Sequence, residues 1–72
     1  MASDICVLLG ERIRKLRKAK GWRQIDLAQQ ASVHEVHISD LERGAREVGL
    51  RTLLALARAL GVKISDLLKG LD

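Results

Sequence analysis

Seventy-two residues with 13 Lys and Arg against 9 Asp and Glu, a net charge of +4 at pH 7, one Cys and no Pro, Tyr or Phe exclude an internal disulfide and leave room for one domain, residues 1–72. No apolar run nears the ~20 residues of a membrane span, and the opening MASDICVLLG lacks the basic start and cleavage site of a signal peptide, so the expectation is a cytoplasmic chain off the membrane. A composition 47% apolar and 31% charged speaks against disorder, while the basic excess draws phosphate-rich partners without saying which.

Apolar residues fall at helical spacing in LLGERIRKLRKAKG, where Leu9, Ile13 and Leu16 are separated by charges and Gly21 ends the run; this predicts a first helix over about residues 4 to 20. Its basic residues, Arg12, Arg14, Lys15, Lys18 and Lys20, read as a solvated face. Trp22 reads as a cover for the junction that follows. In RQIDLAQQA, Leu27, Ala28 and Ala31 share one face and Asp26 suits the first turn, so a second helix is expected over about 24 to 31. HEVHISDLERG then places Ile38 and Leu41 together and stops at Gly44, predicting a third helix over about 34 to 42. After the loop GAREVG, the run LRTLLALARALG offers Leu50, Leu53, Leu54, Ala57 and Leu60 as the apolar face of a fourth. Ser65 is the expected cap of a short fifth helix carrying Leu67, Leu68 and Leu71. No run alternates with period two, so the fold class is all-α, five helices around one core.

The second and third helices are joined by a very tight turn between two apolar faces, a connection that crosses them steeply in helix-turn-helix fashion. The pieces RIRKLRKAKG, Q-x-x-LA, I-S-x-LERG and TLLALARALGV occur in one order from about Leu9 to Leu68. This array resembles the phage repressor and Cro helix-turn-helix family, including the small controller proteins of restriction-modification systems. The resemblance implies a transcriptional regulator that binds a palindromic operator in double-stranded DNA as a homodimer, with the third helix in the major groove. It places the protein on the nucleoid, with no catalysis and no cofactor.

Carried over residue by residue, the resemblance makes His34, Glu35, Val36 and Asp40 candidates for base contact. It makes Arg23, Gln24, Arg43, Arg46 and Arg51 candidates for phosphate contact. Arg17 and Glu42 match an acidic and basic pair that braces the third helix against the first, so Glu42 is expected to face inward. For Glu35 the expectation is a base contact, such as a hydrogen bond from a cytosine amino group; Val36 suits a thymine methyl. Asp40 has two readings: the same kind of contact, or a solvated charge that repels wrong sites. Three positions depart from the family pattern. Arg23 stands where relatives often have a capping Ser or Thr, Ser32 where they often have Gly, and GAREVG lacks their common Pro.

A chain this short buries only about 60% of its unfolded surface, which favours association. Val62, Ile64, Leu68 and Leu71 are the candidate dimer interface, with Ile5, Val7 and Leu8 as further apolar residues near the other end. HEVH holds metal-ligand residue types, but its histidines stand at i and i+3 without an obvious third ligand, so no metal site is expected. No nucleophile-base pair or carboxylate dyad emerges, so no enzyme is expected. Cys6 reads as a small packing residue. The competing class is a protein-interaction module of the same fold, an antitoxin or an adaptor with a protein partner.

Overall fold

The computed structural model describes residues 4–72; the first three residues of the N-terminal segment, on which part of the signal-peptide reading falls, lie outside it. Five helices follow in order: α1 Ile5–Ala19, α2 Gln24–Ala31, α3 Glu35–Glu42, α4 Leu50–Leu60 and α5 Ile64–Leu68, with no strand among the described residues. None is long and apolar enough to cross a membrane. α1 is capped by Asp4, whose carboxylate accepts from the Cys6 amide at 2.8 Å, satisfying one of the donors that a helix start leaves free.

Ser32 sets the turn between α2 and α3. It adopts the left-handed conformation at φ 57° and ψ 43°, and the Val33 amide closes on Ala28 O at 2.9 Å. The missing Gly costs about 1 kcal/mol there. The next two breaks use glycine for the same backbone region, Gly44 at φ 69° and Gly61 at φ 73°.

Each helix sends one fully buried large side chain to the centre: Ile13, Leu27, Ile38, Leu56 and Leu67. α1 packs on α3, α2 on both α3 and α4, and α5 against α1 and α4. On α4 the buried stripe is Leu53, Leu56, Ala57 and Leu60, whereas Leu50 is 74% exposed and Leu54 is also exposed. The expected face was therefore rotated toward Leu50 and Leu54, and it omitted Leu56. The i, i+3, i+4, i+7 stripe runs through Leu56, but in so apolar a segment other stripes fit equally well.

Two details of α5 also differ from expectation. Ser65 lies inside the helix; the cap position belongs to Lys63, whose amide donates to the Asp66 carboxylate at 2.9 Å. Leu71 lies beyond the helix end and packs back on the core. Arg12, expected on a solvated face, instead donates to the carbonyls of Asp66 at 2.9 Å and Leu67 at 3.3 Å, fastening α5 to α1.

Gly10 is the close crossing of α1 and α3. A methyl group there would lie 2.7 Å from Glu42 O and nearer still to Leu41 O, so only hydrogen fits. That approach fixes α3, and with it the surface that α3 presents.

Candidate nucleic-acid interface

α3 is divided lengthwise. Ile38, Leu41 and Glu42 are buried, while Glu35 and Val36 are exposed, as is His34 at the cap position. Val36 is 71% exposed, a β-branched apolar side chain held in solvent on a helix that has a core to pack into. His34, Val36, His37, Asp40 and Arg46 line a shallow depression on this side. His37 is the member that the residue-by-residue reading left without a role, although its i+3 spacing from both His34 and Asp40 already put the three on one face.

The buried side of α3 holds the brace. Arg17 and Glu42 are 7% and 8% exposed, and they form a two-armed pair: Nε donates to Oε2 at 2.6 Å and Nη2 to Oε1 at 2.8 Å. The third arm of Arg17, Nη1, donates to Trp22 O at 2.7 Å. The pairing holds the guanidinium protonated, with its pKa raised by the Glu42 hydrogen bond against the opposing effect of burial. Glu42 Oε1 also accepts from Gln24 Nε2 at 3.2 Å. Trp22, Arg17, Glu42 and Gln24 are thus one hydrogen-bonded chain from the α1–α2 junction to the first residue of α2.

At the starts of α2, α3 and α4 the cap residue's own side chain accepts no bond from the first turn. Each therefore offers free N–H groups and the positive end of a dipole, a setting for phosphate. Gln24 opens α2, and exposed Arg51 stands in the first turn of α4, where a cation opposes the helix dipole. Arg23 precedes α2; its guanidinium meets Asp26 at 3.1 and 3.2 Å, and its amide donates to the same carboxylate at 2.7 Å. Those bonds, the guanidinium's first, hold the Asp26 carboxyl below the usual carboxylate range. Among the described residues Glu35 forms no ion pair; its charge adds slightly to the rise that Asp26 chiefly causes at Arg23, and it suits the start of α3.

The two arginines after α3 converge on one acid. Arg43 Nη2 is 2.5 Å from Asp40 Oδ1, and Arg46 Nη2 is 3.4 Å from Asp40 Oδ2. Among the described residues no group of three His, Cys, Asp or Glu side chains is placed to hold a metal ion.

The candidate dimer residues separate. Val62, Ile64 and Leu71 are half-buried against their own core, and only Leu68 is exposed. Leu68 lines a groove with Ile5, Cys6, Leu9, Val48 and Leu53, and further exposed apolar side chains are Leu50 and Leu54 of α4. The Cys6 thiol in that groove is pushed above its ordinary pKa by partial burial and by the Asp4 and Glu47 carboxylates, which favours the protonated thiol.

A helix-turn-helix family model matches residues 13–67. The chain is 42% identical over 64 residues to the HTH-type transcriptional regulator DdrOP3 of Deinococcus deserti, covering 89% of this chain but spanning only 50% of that regulator. It is 39% identical over 69 residues to the control protein C.BamHI of Bacillus amyloliquefaciens, covering 94% and 85% of the two chains. The fold is similar to that of the c2 repressor of Salmonella phage P22 in complex with a synthetic operator, with TM-score 0.80, 44% identity and coverage of 86% and 94%.

Proposed function

The chain belongs to the helix-turn-helix family, and from that premise we propose that it is a sequence-specific, double-stranded DNA-binding transcriptional regulator that acts as a homodimer on a palindromic operator. The observation that carries the reading is the divided α3. Its inner side is locked to the core by Ile38, Leu41 and the Arg17–Glu42 pair, while His34, Glu35 and Val36 stand in solvent, His34 and Val36 lining a depression with Arg46.

In this reading α3 enters the major groove. Val36 packs on a thymine methyl, and Glu35 accepts from a cytosine amino group. Gln24, Arg23 and Arg51 meet phosphates at the starts of α2 and α4, and Arg43 and Arg46 meet them after α3. A second copy docks through the exposed apolar side chains of Ile5, Leu50, Leu54 and Leu68, and the operator then carries two half-sites one helical turn, about 34 Å, apart. Regulation takes place on the nucleoid, in the cytoplasm, and involves no reaction catalysed by this chain.

Selection of bound duplexes from a random pool, followed by footprinting, tests this. The expected result is an enriched palindrome protected in two half-sites one helical turn apart. Enrichment of no sequence above background would overturn it and leave the protein-interaction module as the better account.

A further inference from the structure

Asp40 is hemmed in. Its side chain is 18% exposed, whereas a carboxylate that reads a base edge has to stand free of its own helix. Both oxygens are engaged, Oδ1 by Arg43 at 2.5 Å and Oδ2 by Arg46 at 3.4 Å. Arg43 follows directly on the last turn of α3, and its Nε also reaches Ser39 O at 3.4 Å. Arg46 lies in the loop that leads to α4. The carboxylate therefore ties the Pro-free GAREVG loop back onto α3, and Arg46 becomes a wall of the depression that holds Val36 and His37. Both arginines remain more than half exposed, at 67% and 54% of their side chains, so donors are left over for a ligand.

We propose that Asp40 is a specificity-determining positioning residue: it serves as the internal counter-ion of Arg43 and Arg46, aiming both guanidinia and withholding part of their charge from DNA that does not fit. The proposal rests on the DNA-binding reading. Two free arginines would displace two condensed counter-ions from any duplex, whereas two arginines around one carboxylate carry a net charge of one. On an arbitrary sequence the loop is thus a weaker cation than its composition implies. On the operator, a guanidinium with five donors contacts the ligand without leaving Asp40, so the carboxylate weakens wrong complexes more than the right one.

Asp40→Asn keeps the shape and one acceptor while removing the charge. In the DNA-free protein it is expected to speed tryptic cleavage after Arg46 several-fold, with cleavage after Arg17, buried within α1, as the internal control for global unfolding. Against a nonspecific duplex, affinity should rise roughly 3- to 10-fold and the salt slope steepen by about one. Affinity for the selected site should change by less than about twofold, so discrimination falls. In a background with both Arg43→Gln and Arg46→Gln the substitution should have little further effect. Unchanged cleavage after Arg46 would remove the tie itself. An equal gain on both duplexes would reduce Asp40 to net charge, and a changed preference at one operator base would make it a base reader; either overturns the proposal. Failure of the unsubstituted protein to bind any duplex overturns the functional reading, and this proposal with it.

Discussion

Gly10 has no side chain to donate, to carry charge or to bury, yet the docking of α1 on α3 depends on it. Gly10→Ala should raise intrinsic helix propensity by about 1 kcal/mol but force the carbonyls of Leu41 and Glu42 away, for a net loss of about 1–3 kcal/mol in urea unfolding. A stabilised variant would show that the crossing is loose. Its role was not legible in LLGERIRK, because a glycine inside a helical pattern looks the same whether it faces solvent or a neighbour's backbone. Glu42 behaves differently. Glu42→Ala strands Arg17 at 7% exposure and should cost about 3–5 kcal/mol, while replacing both partners by Met and Leu should recover most of it. A double variant no more stable than Glu42→Ala would mean that the buried charge was not the problem. The site candidates that the family pattern named include this pair, which the structure joins. It could not reveal that Asp40 would claim two of the five named phosphate contacts, since that depends on the path of a loop.

Among the elements, α2 shows how a missing cap is offset. Arg23 cannot accept a bond from the first turn, but Asp26 reaches back to the Arg23 amide and guanidinium. Its carboxyl pKa is lowered in the folded state, so this contribution is fully present above the ordinary aspartate value of about 3.9 and is lost as pH falls through the lower folded value. Asp26→Asn should therefore be less stable than the parent at neutral pH, with the gap closing below about pH 4; acid titrations followed by far-UV circular dichroism at fixed urea measure it. A gap independent of pH would assign the effect to shape. The existence and order of all five helices were readable because charge and apolar periods change at glycines or at Ser32. The inward face of α4 was not, because eight of its eleven residues are Leu or Ala, and the direction from which its neighbours approach decides which leucines are covered.

For the whole molecule, one central side chain per helix means that no helix can leave without opening the middle of the core. Unfolding should then be a single cooperative transition. Association is expected to stabilise it further, because Leu50 and Leu54 lie in solvent one turn apart. Leu50→Lys with Leu54→Lys should shift sedimentation from dimer to monomer and weaken operator binding at least tenfold, while leaving the helical content of the monomer unchanged. A dimer that survives both substitutions would move the interface to Ile5 and Leu68. The chain from Trp22 through Arg17 and Glu42 to Gln24 has a use at this scale as well. Trp22 is the only aromatic residue apart from the histidines, Lys20 sits 5.0 Å above its ring, and its carbonyl lies three hydrogen-bonded links from the start of α2. On the proposed reading, a phosphate bound by Gln24 would pull on that chain, and the unlabelled protein would carry its own optical gauge. Titrating duplex should shift or quench a single emission band, and Gln24→Ala should silence the signal.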